Sequence, residues 1–190
     1  MLATALINLT SENGYQFPVR ALIDQCSQAS FVSEFVFKKL GISSFLIKLP
    51  VTGVGGKNNF ICKKSISISV KPHFYSDFSI DVIAFVIPKI TSYTTVNNIA
   101  LNKSYLSHLT LADPHFDSNE KIEVLLGSSV HASIIDEGIR RGESHEPVAM
   151  NTKLGWVLSG NSGSTGSTCC SIKIDSDTSD LLFNLEKFWK

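Results

Sequence analysis

Short apolar runs recur along this chain, several alternating with polar residues, and turn residues separate them. Ala3-Thr4-Ala5-Leu6-Ile7-Asn8-Leu9 reads as a strand, Glu12-Asn13-Gly14 as a hairpin turn, and Phe17 to Ile23 as the returning strand. Ser65-Ile66-Ser67-Ile68-Ser69-Val70 alternates at every position, and Phe78 to Ile87 offers a further strand pair ended by Pro88. Ile122-Glu123-Val124-Leu125-Leu126-Gly127 is a buried strand closed by glycine. Helical spacing is expected in two places. Between Ser30 and Leu40, residues Phe31, Phe35, Val36 and Leu40 share one face, with Ser27 or Ser30 as N-cap and Gly41 beyond the last turn. A second helix is expected from about Ser128 to Arg140. The pattern predicts a mainly β domain with short helices.

The organisation follows from the same pass. Residues 1–160 read as one domain, and the stretch from Thr91 to Ser118 is its least regular part. Glu146 to Gly160, ending Gly155-Trp156-Val157-Leu158-Ser159-Gly160, is expected to close that domain as a terminal strand of the sheet. Residues 161–180, opening on a Gly/Ser/Thr-rich run, read as a flexible linker, and 181–190 as the start of an amphipathic helix. Met1 lies almost directly before the first strand, so a domain without a leader, part of a longer polyprotein, is expected.

Composition removes several function classes. Seventeen basic and seventeen acidic residues cancel, which disfavours a nucleic-acid or membrane-surface binder held by bulk charge. Cys26, Cys62, Cys169 and Cys170 form no C-x-x-C pair and no zinc-ligand spacing, so neither a metal nor another cofactor is expected. Adjacent Cys169 and Cys170 and the lack of a secretory signal argue against a disulfide framework. No apolar run is long enough to span a membrane. An intracellular, cytoplasmic protein is expected.

The chemistry concentrates in Val19-Arg20-Ala21-Leu22-Ile23-Asp24-Gln25-Cys26-Ser27-Gln28-Ala29-Ser30-Phe31. An apolar strand delivers one carboxylate, Asp24, to a loop of small polar residues, a costly arrangement unless the fold uses the charge. The simplest structural role is an Asp capping the next helix. The segment resembles the active-site loop of retroviral-type aspartic peptidases, and with Gln28-Ala29-Ser30-Phe31 it is similar to the peptidase domain of BEL/Pao-type retrotransposon polyproteins. Leu111-Ala112-Asp113-Pro114 and the Gly155-Trp156-Val157-Leu158-Ser159-Gly160 ending strengthen that resemblance, which spans roughly residues 3 to 160. By itself, Asp113 before proline reads as a turn residue.

The resemblance implies a retropepsin-like acid-protease β-barrel with one half-site per chain. It implies Asp24 as the catalytic carboxylate, Gln25, Cys26 and Ser27 as its loop, and Gly53, Val54, Gly55 and Gly56 as a substrate flap. It also implies that Leu125, Leu126 and Gly127 pack beside the loop, glycine letting two backbones approach. Peptide hydrolysis in this class uses two carboxylates sharing one proton around a water. The chain has one suitable Asp, so a homodimer with the site on its two-fold axis is expected, acting on a polypeptide (polyprotein) substrate. Gln25 stands where the family has Ser or Thr, Cys26 where it has Gly, and Ser129 where it usually has Asp. A non-catalytic peptide-binding or dimerisation module on the same fold is the alternative. A thiol enzyme built on Cys26 lacks a motif-linked base, and Gly142-Glu143-Ser144-His145-Glu146 only approaches the G-x-S-x-G of serine hydrolases.

Overall fold

A computed structural model describes residues 1–53, 60–91 and 103–160, and the backbone of 172–174. Its strands are β1 (Thr4–Thr10), β2 (Gln16–Ile23), β3 (Ser30–Ser33), β4 (Phe45–Gly53), β5 (Phe60–Pro72) and β6 (Ile80–Ile87). They continue as β7 (Ile122–Leu126), β8 (Ile135–Arg141), β9 (Val148–Thr152), β10 (Val157–Ser159) and β11 (Ile172–Ile174). Two short helices are α1 (Glu34–Leu40) and α2 (Ser128–Ile134).

Alternation decides the first hairpin. Ala5, Ile7 and Leu9 are fully buried while Thr4, Leu6 and Asn8 are only partly covered, and Gly14 supplies the positive φ (76°) that the turn to β2 needs. β1 pairs antiparallel with β2 on one side and with the far end of β5 on the other. The order β1-β2-β7-β3-β6-β5 therefore returns to β1 and closes a six-stranded barrel. Its interior holds Ile7, Leu9, Val32, Ile66, Ile68, Val124 and Leu126 among others.

Two satellite clusters complete the apolar packing. Leu22, Leu125, Phe31 and Phe85 stand directly opposite one another across β2, β7, β3 and β6, on the barrel's outer face. Leu49, Val51 and Cys62 of the β4–β5 arm join the same cluster. A separate three-stranded sheet, β10-β9-β8, packs Ala149 and Leu158 with Leu106 and Phe116.

Three expectations are corrected. The helix expected over Ser30–Leu40 begins only at Glu34, capped by Ser33, whose hydroxyl accepts the Val36 N–H; neither Ser27 nor Ser30 caps it. Ser30–Ser33 is instead a strand with both faces buried. Phe31 enters the outer cluster and Val32 the barrel interior, which one helix face could not do. The helix expected to reach Arg140 stops at Ile134, and β8 follows it, with Gly138 at φ 128°. The closing segment is a β9–β10 hairpin in the smaller sheet, not a terminal strand of the main one. Within the stretch read as a linker, β11 pairs antiparallel with β4.

Candidate functional site

Asp24 sits where three backbones converge. β7 lies between β2 and β3, parallel to the first and antiparallel to the second, so the chain leaving β2 must cross the end of β7 to reach β3. The crossing loop is the Asp24–Ala29 segment. At its start the Asp24 N–H donates to the Leu126 carbonyl at 2.9 Å, extending the β2–β7 ladder by one residue. At its end the Ser30 hydroxyl accepts the Gly127 N–H at 3.0 Å. Between them the Ser27 carbonyl accepts the Ser128 N–H at 2.8 Å.

Gly127 is the pivot. A Cβ built there would lie 2.6 Å from the Ala29 carbonyl oxygen and 2.9 Å from that of Ser27, both main-chain atoms. Its neighbours divide between two layers. Leu125 is buried in the outer cluster and Leu126 in the barrel interior, which anchors both sides of β7 beneath the loop.

The loop itself is a tight turn organised by the carboxylate. Asp24 Oδ1 accepts the Cys26 N–H at 2.9 Å, and the Asp24 carbonyl accepts the Ser27 N–H at 3.3 Å. Ser27 is fully buried and donates its hydroxyl to the Ala29 carbonyl at 2.8 Å. Gln25 and Cys26 lie on the exposed tip. Asp24 is 9% exposed, and its second oxygen, Oδ2, is buried with no hydrogen-bond partner among the described residues. A buried carboxylate oxygen left unpaired is costly, and such groups cluster where a ligand, water or proton completes them.

The residues expected to form a flap divide. Gly53 ends β4, while Val54, Gly55 and Gly56 fall outside the described residues. Leu49, Val51 and Cys62 of the β4–β5 arm share the buried outer cluster with Leu22, two residues before Asp24, and Ala29, five residues after it. The arm and the loop therefore share one apolar base.

Sequence reasoning missed Arg20, and with it the role of Asp113. Arg20 is 4% exposed and Asp113 3%. Arg20 Nε lies 2.9 Å from Asp113 Oδ2, which also accepts the Thr4 hydroxyl at 2.7 Å. The other guanidinium nitrogens reach the Ser118 carbonyl at 2.9 Å, the Glu120 carbonyl at 3.0 Å and the carbonyl of His115. Asp113 is thus more than a turn residue: it is the buried counter-ion that ties the 109–120 stretch to the barrel. The signal was present, since Arg20 interrupts an otherwise apolar strand. Ser30 was likewise missed as the acceptor for Gly127.

Among the described residues, no group of three or more His, Cys, Asp or Glu side chains is placed to hold a metal ion. None of their helices is long and apolar enough to cross a membrane. No His ring nitrogen is hydrogen-bonded to Cys26, and the His73 ring is engaged with the Leu111 carbonyl at 2.9 Å. Cys62 is buried, and desolvation pushes its thiol above the usual range. Comparison with protein-family models and with curated proteins finds no match for this chain.

Proposed function

We propose that this chain is one half of an aspartic-type endopeptidase, a retropepsin-like barrel whose Asp24 pairs with its counterpart in a second copy. The observation that carries the reading is the division of labour within the carboxyl group. Oδ1 is spent on shaping the loop through Cys26 N–H, while Oδ2 is buried and unpartnered. That second oxygen is the one a water or a neighbouring carboxyl group would use.

Two such groups about 3 Å apart cannot both ionise, so one proton is shared between them. The ionised member removes a proton from the bound water as it attacks the peptide carbonyl. The protonated member donates to the carbonyl oxygen. Within one chain Asp113 cannot serve as the second group, because Arg20 holds it.

The close Gly127 contact supports the same reading, since it fixes the loop backbone against β7 and limits the freedom of Asp24. Gln25 and Cys26 depart from the family pattern at the exposed tip, where a second copy would meet the loop. These departures favour the second reading, a non-catalytic dimerisation or peptide-binding module.

The deciding experiment incubates the protein at mildly acidic pH with a peptide library, alone and with an aspartic-peptidase transition-state mimic. Cleavage abolished by Asp24→Asn is expected. Cleavage that survives this substitution rules out the aspartic mechanism. If the protein is inactive, Gln25→Ser/Cys26→Gly is expected to create activity that also requires Asp24. Its failure to do so supports the binding module.

A further inference from the structure

The β4–β5 arm differs in charge from the rest of the molecule. From Phe35 to Ser76 the chain carries seven lysines and no carboxylate, although its formal net charge is zero. On the arm, Leu49 stands opposite Cys62 and Pro50 opposite Ile61. Leu49 and Cys62 face the buried outer cluster. Strand alternation therefore puts Lys48, Pro50, Ile61 and Lys63 together on the opposite, outward face. Lys48 and Lys63 are exposed, Ile61 is 59% exposed, and neither lysine has an ion pair among the described residues. Like charges at neighbouring positions across a strand pair repel, so this face favours an occupant that carries carboxylates.

The chain supplies one. β11 runs antiparallel along the free edge of β4, with Ile172 opposite Gly53, Lys173 opposite Thr52 and Ile174 opposite Val51. That direction carries the chain from the Gly53 end of β4 towards Lys48. The sequence that follows, from Ile174 to Glu186, holds four carboxylates (Asp175, Asp177, Asp180 and Glu186) and no lysine or arginine. We propose that the segment Asp175–Asp180 docks on the lysine-bearing face of the β4–β5 arm as an in-chain ligand, continuing the edge pairing that β11 begins. Connectivity and charge both select this occupant. An external acidic peptide competing for the same face would have to displace it. The inference does not depend on peptidase activity.

The test is amide hydrogen exchange in β4 of the full 190-residue chain. The triple variant Asp175→Lys/Asp177→Lys/Asp180→Lys is expected to speed exchange at Phe45–Leu49 by about tenfold, the sum of a few modest surface ion pairs. Adding Lys48→Glu and Lys63→Glu to that variant is expected to restore protection. On the unmodified chain, high salt is expected to mimic the triple variant, because exposed charges are screened. Unchanged exchange in both measurements overturns the proposal, as does failure of the swapped charges to restore protection. Protection that rises with protein concentration overturns it in favour of a second copy's tail. Tight binding of a single-stranded oligonucleotide by the unmodified chain, lost when the arm lysines are reversed, overturns it in favour of a free polyanion site.

Discussion

Replacing Gly127 by alanine tests the loop architecture most directly. The glycine has an ordinary φ of −79°, so alanine would meet no backbone strain there. The cost is steric. The new Cβ would fall 2.6 Å from the Ala29 carbonyl oxygen, 2.7 Å from its carbon and 2.9 Å from the Ser27 carbonyl oxygen. None of these atoms ends a flexible side chain, so the backbone of the loop or of β7 has to move. Overpacking of this kind costs about 1–3 kcal/mol. The same movement stretches three hydrogen bonds: Asp24 N–H to Leu126, Ser128 N–H to Ser27, and Gly127 N–H to the Ser30 hydroxyl. Each contributes about 1 kcal/mol. Against this, alanine restricts the unfolded chain and returns about 0.4–1 kcal/mol. With the hydrogen bonds weakened and not all lost, the expected net destabilisation is about 3 kcal/mol, or a fall in Tm of roughly 6–12 °C for a chain of this size. Urea unfolding followed by tryptophan fluorescence measures it. Gly14→Ala is the control: it has nothing within 4 Å but sits at φ 76°, so its cost is conformational only, about 1 kcal/mol. A Gly127→Ala protein within about 0.5 kcal/mol of the parent would refute the close-approach reasoning.

Removing either member of the buried Arg20–Asp113 pair is expected to cost about 3–5 kcal/mol, because it strands a charge inside the protein. The double variant Arg20→Met/Asp113→Leu is expected to lose clearly less than the sum of the singles; additive losses in a double-mutant cycle would contradict that coupling. Ser65 is 1% exposed and its hydroxyl has no hydrogen-bond partner among the described residues, in a row that places it opposite Phe85 and Phe45. Ser65→Ala is therefore expected to stabilise the fold by about 1 kcal/mol, and a loss of stability in thermal melts would contradict it. In a Cys169→Ser/Cys170→Ser background, a thiol reagent is expected to label exposed Cys26 quickly and buried Cys62 only at the rate of unfolding. Burial raises the folded-state pKa of Cys62, so its contribution to stability is complete below the unfolded thiol pKa and declines as pH rises above it. A Cys62→Ala variant is accordingly expected to show a shallower alkaline loss of stability.

The sequence alone determined the strands whose pattern is local. Ala3–Leu9, Phe17–Ile23 and Ser65–Val70 declare themselves because one face is buried and the other is not, and Glu12-Asn13-Gly14 fixes the first turn. It also placed Asp24 at a strand end and Gly127 at another. Tertiary structure decided the rest. Ser30–Ser33 has helical spacing with the residues after it, yet pairs with β6 and β7 because Phe31 and Val32 are wanted on opposite sides of the barrel wall. Ile135–Arg141 continues a helical run in sequence, but Gly138 and the β9 partner turn it into an edge strand. Arg20 and Asp113 are 93 residues apart, and no local pattern pairs them. What Asp24 can do is decided at this level too. Its loop owes its shape to a strand about a hundred residues further on, threaded between the two it connects, and contacts at that separation leave no periodic trace in the chain.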